Sequence, residues 1–284
     1  MISARSSDRI ARFILWTSGF SVLAILFLIV GYILRDGLRM ISFEFLFESP
    51  YWYRDPVWGL RLGGGIFSTI VSSLWLVAIG LAVATPVGVG GAIYLAEYTS
   101  DSFIARAIRL GVEFLAGVPS IVMGLFGSAV FVIFFGLGMS VLAGGLTVAC
   151  VNLPIIIRST EESIRAVPYT YREGSLALGA TKWQTISGVV LKSAAPGILT
   201  GVILGMGRII GETAAIMLTV GTAINLPLTL FDGGRPMSFH LYVMAIEAIS
   251  LEMTFGIASV LIIITLILSL SIRGVASYYT KSSR

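Results

Sequence analysis

Apolar residues run along this chain in long blocks separated by short polar stretches. Six blocks can be traced: Phe13 to Leu34, Ile66 to Leu95, about Leu110 to Phe135, about Met139 to Ile157, about Val189 to Asn225, and about Phe255 to Ile272. The first is uncharged over 22 residues. As an α-helix it measures about 33 Å, enough to cross a hydrocarbon core of about 30 Å. The pattern predicts an all-α integral membrane protein with six transmembrane helices. The second block, interrupted by Pro86 and a cluster of glycines from Gly88 to Gly91, is too long for a straight span. It is expected to tilt, kink or extend into water. The third holds Glu113 near its start and Pro119 inside, and only Gly136–Gly138 separate it from the fourth. Pro196 and several glycines interrupt the fifth.

Composition removes the other classes. The 284 residues are 56% hydrophobic and 12% charged, against about a quarter charged in soluble domains. The mean hydropathy is +0.95. A soluble enzyme, a disordered chain and a fibrous protein are poor fits. The net charge is +4, but the basic residues are scattered between apolar blocks. That distribution speaks of membrane topology rather than nucleic acid. With the N-terminus inside, thirteen of the nineteen Lys and Arg fall on inner segments and five on outer ones. The positive-inside rule therefore predicts both termini in the cytoplasm. The first block is longer than a signal-peptide core, lacks a small-x-small cleavage site and is read as an uncleaved span.

Chemistry-bearing residues are few. Cys150 is the single cysteine and His240 the single histidine, so an intrachain disulfide, a cysteine cluster and a multi-histidine metal site are excluded. No Gly-x-x-x-x-Gly-Lys-Ser/Thr, His-Glu-x-x-His or Gly-x-Ser-x-Gly run occurs. A membrane enzyme is thus disfavoured, and ATP hydrolysis by this chain alone is implausible. The outer loop from Arg35 to Leu62 carries Phe43, Phe45, Phe47, Tyr51, Trp52, Tyr53 and Trp58. It reads as an interfacial aromatic belt, as a docking surface for an outside partner, or as both.

The most polar stretch, Arg158 to Lys192, lies on the inner side between the fourth and fifth blocks. Pro168 should stop one helix, Thr170 to Leu178 can form a short one, and Gly179 is placed to end it. Gly174, Ser175, Ala177 and Ala180 leave a surface that another protein can approach. Physics alone also allows an ordinary solvated connector. The run Glu173-Gly174-Ser175, followed by Gly179, resembles the EAA signature of ABC importer permeases. Val189 and Leu191 fit its apolar ending, and Lys192 stands where that signature has proline. Asn152 to Arg158, Thr160-Glu161-Glu162, Arg165 to Pro168, Gly63-Gly64-Gly65-Ile66 through Ile93-Tyr94-Leu95, Gly117 to Ile121 and Gly207 to Thr213 are similar to phosphate ABC permeases. The order of these motifs and the short first loop resemble the PstA type, with the PstC type close.

That resemblance implies a type I ABC importer permease (MetI-like) fold in a prokaryotic inner membrane. It also implies a coupling helix in which Glu173, Gly174, Ser175, Leu176, Ala177, Leu178, Gly179 and Ala180 dock on a cytoplasmic ATPase. It divides the chain into an N-terminal arm, first helix and aromatic loop (1–62), a permease core (63–274) and a cytoplasmic tail (275–284). The implied partners are a second permease of the PstC type, two copies of a PstB-type ATPase and an external PstS-type phosphate-binding protein. ATP and Mg2+ would be used by the ATPase, with no cofactor held by this chain.

Two charges fall inside the fifth block. Arg208 and Glu212 are four apart, so on a continuous helix they share a face and can pair. Each costs about 2.5–3.5 kcal/mol at a bilayer centre. Gly201, Gly205, Arg208 and Glu212 would form one stripe, expected to face protein or a cavity rather than lipid. A buried ion pair fixing helix register is one reading. The other is a lining for a substrate path, which the resemblance favours, with Arg208, Glu212 and Thr213 on it. A guanidinium matches the oxygens of phosphate bidentately, while Glu212 would hold it and keep anion binding weak. Thr219, Thr222 and Asn225 could add neutral donors. The function expected is an ATP-coupled phosphate permease working by alternating access. The alternatives are a permease for sulfate or molybdate, an ion-coupled secondary transporter and a non-transporting scaffold.

Overall fold

A computed structural model describes residues 4–56, 59–99, 102–247 and 250–281; Trp58 of the aromatic loop lies outside them. Helix α1 (Ala4–Gly37) leads through the short α2 (Phe43–Phe47) to an antiparallel hairpin of β1 (Pro50–Asp55) and β2 (Gly59–Gly64). Its register sets Pro50 opposite Gly64 and Trp52 opposite Leu62. Tyr51, Trp52 and Tyr53 are exposed on β1. Helix α3 (Phe67–Ile93) continues through a π-helical turn, Tyr94–Tyr98. Then come α4 (Phe103–Gly117), α5 (Ser120–Gly127, extended by a π-helical turn to Phe134) and α6 (Val141–Arg165). The polar loop forms α7 (Tyr169–Ala177) and α8 (Lys182–Thr185), and α8 runs through a π-helical turn into α9 (Leu191–Gly211). Helices α10 (Ala214–Met217), α11 (Met237–Ile246) and α12 (Leu251–Lys281) complete the order.

Five helical runs among the described residues are long and apolar enough to cross a membrane, and α4 with α5 would make a sixth as one bent span. The centre of the bundle is α3, α6 and α9. Leu76, Val77, Val148, Met206, Ile209 and Phe239 meet there in one buried cluster. Glycines set how close these helices come. A methyl group at Gly80 would lie 2.8 Å from Ile209 Cδ1, and one at Gly88 would lie 2.7 Å from Ile156 Cγ2. In a bilayer, where lipid is as apolar as leucine, such close packing is what holds helices together. The buried hydroxyls of Ser72, Ser73 and Thr147 bond to carbonyls one turn back on their own helices, so they add no unsatisfied polar group. Helix α12 packs on α9 and α11, and α1 reaches the rest of the chain through α12, where Tyr32 meets Phe255 edge-on at 5.5 Å. From Phe13 to Leu28, α1 is exposed within this chain.

Three of the expected boundaries move. The third block is not one kinked helix: its two halves meet at 105°. Pro119 has no N–H and drives the residue before it out of the helical region, and Val118 is extended, with φ −70° and ψ 129°. The fourth span runs on to Arg165, well into the polar loop. The fifth does not continue to Asn225, because the helix stops at Gly211 and Glu212 is extended at φ −69°, ψ 132°. The Gly136–Gly138 separation holds, with both glycines at positive φ, 68° and 67°. The tail expected from residue 275 begins as a continuation of α12, helical to Lys281.

Candidate functional site

Helix α7 forms almost where the sequence placed it. Pro168 precedes it with φ −54° and ψ 136°, and Gly179 follows it at φ +84°. Ala180 N donates to Ser175 O at 3.3 Å and Gly179 N to Leu176 O at 2.9 Å. This crossed pair is a Schellman ending, which needs a left-handed residue where Gly179 stands. A Cβ at Gly179 would meet nothing within 4 Å, so backbone conformation rather than space demands glycine there. Helix α8 starts with a capping box: Thr181 Oγ1 accepts from Gln184 N and Gln184 Oε1 accepts from Thr181 N. The two short helices are tied by Ser175 Oγ and Thr185 Oγ1, 2.9 Å apart.

The outward face of this unit is apolar for a polar loop. Tyr169, Tyr171, Leu176, Leu178 and Trp183 are exposed, Leu178 by 90%. Glu173, Gly174, Ala177 and Gly179 are exposed among them, while Ser175 and Ala180 are half-buried. Large apolar side chains held out from a short, well-terminated helix pair mark a contact surface. On the inner side, a groove of about 810 Å³ separates the unit from the ends of α3 and α6, lined by Glu97, Val167, Arg172, Leu176, Lys182 and Ile186 among others.

Sequence reasoning missed the charges that fasten this unit to the bundle. Arg172 donates Nη2 to Glu97 Oε1 at 2.6 Å and Nε to the same oxygen at 3.0 Å. Its Nη1 reaches Val167 O at 2.8 Å and its Nη2 also reaches Ile164 O at 2.9 Å. Nearby, Arg109 of α4 bonds Glu161 of α6 at 3.1 Å and the Leu95 carbonyl at 3.1 Å. Glu161 also takes Arg165 at 2.8 Å. A charged residue at the end of an apolar block was the available signal, but the pairing of Glu97 with Arg172 spans 75 residues and no local spacing reveals it.

The structure separates the charges of the fifth block. Because α9 ends at Gly211, Arg208 sits in its last turn and Glu212 lies beyond it. The ion pairs among the described residues do not include one between them. The expected single stripe is also not formed. Gly201 lies against Ser159 and Gly205 near Asn152 and Ile156, both on α6. Arg208 points elsewhere, exposed with Leu204 and Gly211. Glu212 is buried, 8% exposed. Its Oε1 accepts from Ala215 N at 3.4 Å, and its backbone oxygen accepts from Ser238 Oγ at 2.6 Å. Thr213 is half-buried with Oγ1 3.5 Å from Gly211 O. Thr219 is buried and bonds back to Ala215 O at 3.0 Å, which makes it a packing residue.

Past the break, Arg235 is buried and donates Nε and Nη2 to Thr222 O at 3.2 and 2.8 Å. Asp232 closes the preceding loop by accepting from Thr229 N at 2.7 Å and Leu228 N at 2.9 Å. Those bonds, the Thr229 backbone bond first, hold its carboxyl below the usual aspartate range.

A bundle of helices long and apolar enough to cross a membrane, with an apolar-faced helical loop beside it, defines a multi-pass membrane protein. The family of binding-protein-dependent transport system inner membrane components matches residues 88–283. The chain belongs to that family, a multi-pass inner-membrane permease class. Within it, the resemblance to the PstA type is borne out by relatives. The chain is 34% identical over 237 residues to the probable ABC transporter permease protein YqgI of Bacillus subtilis (strain 168), covering 84% of this chain and 78% of that one. It is 38% identical over 185 residues to the phosphate transport system permease protein PstA of Mycobacterium leprae (strain TN), 64% of this chain and 60% of that one. Against PstA 1 of Mycobacterium tuberculosis (strain ATCC 25618 / H37Rv) it is 31% identical over 239 residues, 82% of this chain and 77% of that one.

Solved structures share the fold. A bacterial ABC transporter involved in the import of the acidic polysaccharide alginate matches with TM-score 0.66 at 15% identity, over 96% of this chain and 99% of that one. The inward-facing MetNI methionine ABC transporter matches with TM-score 0.57 at 17% identity, over 78% and 94%. The MetI-like fold expected from the sequence is thereby borne out.

Proposed function

We propose that this chain is the PstA-type permease of an ATP-driven phosphate importer. It would provide half of the translocation path and couple that path to a separate ATPase by alternating access. The observation that carries the reading is the anchored, apolar-faced α7–α8 unit in a family of binding-protein-dependent permeases. The relatives named as phosphate transport permeases support phosphate as the cargo. The implied assembly adds a PstC-type permease, a PstB-type ATPase dimer using ATP and Mg2+, and an external PstS-type binding protein. Both termini and the α7–α8 unit would then lie in the cytoplasm, where the basic residues are concentrated.

In this reading Glu173, the small residues and Leu176 to Ala180 seat in the ATPase. Arg208 lines the path from the uncovered face of α9, which we set against the second permease. An exposed guanidinium at membrane depth needs a polar counterpart, and a passing oxyanion between two permeases is one. Glu212 takes a different part from the one its spacing suggested: it stabilises the break after α9. Thr213, at that break, adds a neutral donor. The test is substitution of Arg208 by leucine in the assembled transporter. Uptake should vanish while the complex still purifies whole; continued phosphate accumulation would remove Arg208 from the path.

A further inference from the structure

The α7–α8 unit can be fastened to the bundle in two ways. It can ride only on its covalent neighbours α6 and α9, or it can hold a third helix. The Arg172 guanidinium decides between them. Two of its nitrogens converge on one carboxylate oxygen, Glu97 Oε1, at 2.6 and 3.0 Å. Glu97 lies in the π-helical turn that continues α3, a helix at the centre of the bundle. The same guanidinium caps two carbonyls at the end of α6, Ile164 O and Val167 O. The side chains of Arg172 and Glu97 are only 13% and 9% exposed. At the start of α8, Lys182 Nζ stands 4.6 Å from the centroid of the Tyr98 ring, next to Glu97 in sequence.

We propose that the Arg172–Glu97 pair is the joint through which movement of α7 is delivered to α3. This rests on the permease reading above and names which helix the ATPase drives first. A planar, multidentate, sheltered guanidinium resists both sliding and twisting, whereas a lone flexible contact would absorb displacement. Because α3 packs on α6 and α9 through close glycine contacts, displacing its end moves the core helices together. Arg172 and Glu97 are positioning residues in this scheme and touch neither cargo nor nucleotide.

The test uses the whole transporter in vesicles and reads phosphate transported per ATP hydrolysed, alongside copurification of the ATPase. Glu97→Gln keeps the shape and removes the charge. Arg172→Lys keeps the charge and removes the fork. Both should leave the ATPase bound and hydrolysing, with the transport-to-hydrolysis ratio lowered about tenfold. A ratio equal to that of the unaltered transporter in either assembled variant would overturn the proposal. Loss of the ATPase or of assembly in both variants would also overturn it, assigning the pair to folding instead. If the unaltered transporter hydrolyses ATP and takes up no phosphate, the permease reading itself has failed, a result distinct from any of these.

Discussion

A cation in the last turn of a helix faces the negative end of the helix dipole, and an acceptor before the first turn of the next helix satisfies free N–H groups. Arg208 and Glu212 occupy those two positions on either side of the break after Gly211. Four residues of separation therefore did not make a pair, because the intervening backbone is not helical. Their roles separate experimentally. Arg208→Leu should abolish uptake without changing assembly, and Arg208→Lys should retain part of it, since the charge survives and the fork does not. Glu212→Ala should leave Ala215 N without its acceptor and lower stability by about 1 kcal/mol, read as a lower unfolding midpoint of the purified complex. Glu212→Gln, which keeps an acceptor, should lose less. An uptake defect in Glu212→Gln as deep as that of Arg208→Leu would return Glu212 to the path.

Among the elements, the α7–α8 unit was the most legible in the sequence. Pro168, Gly179 and the Thr181–Gln184 spacing are local punctuation, and local rules set the helix ends there. Its attachment was not legible, because Arg172 finds Glu97 only once α3 and α6 have been brought together. Pro119, inside the third block, makes a full break rather than a bend, because Val118 follows the rule for a residue before proline. Gly179 makes this level testable. Gly179→Val places a β-branched residue at φ +84°, a conformation such residues avoid. It should unravel the end of α7 and weaken ATPase copurification, whereas Gly188→Ala, in the helical run leading into α9 and outside the docking set, should bind the ATPase normally. The loop closed by Asp232 offers a pH test. Because hydrogen bonds hold the Asp232 carboxyl below its usual range, the loop's stabilisation is complete above the ordinary aspartate pKa of about 3.9. It is lost as pH falls through the lower folded value. The Leu228 and Thr229 amide resonances should therefore shift only below that ordinary value and be unresponsive to pH in Asp232→Asn; a shift near neutral pH would contradict this.

For the whole molecule, hydropathy alone was enough to read the class, because a bilayer admits few ways to cross it; of the six spans expected, five stand as single helical runs and the sixth only if the bent α4–α5 pair is one span. It could not read which faces are covered. Helix α1 is exposed from Phe13 to Leu28, and so is the Leu204–Arg208–Gly211 face of α9. In the proposed assembly these surfaces face lipid and a second permease, and the cargo meets the Arg208 guanidinium on the second of them. The most direct measurement is therefore made on the complete assembly. The chain is reconstituted in vesicles with the partners of the proposed assembly, a PstC-type permease, a PstB-type ATPase and a PstS-type binding protein, and uptake of labelled phosphate, sulfate and molybdate is followed with and without ATP. The account predicts accumulation of phosphate that requires ATP, with little sulfate or molybdate. Accumulation driven by an ion gradient without ATP, or of another oxyanion in place of phosphate, would contradict it.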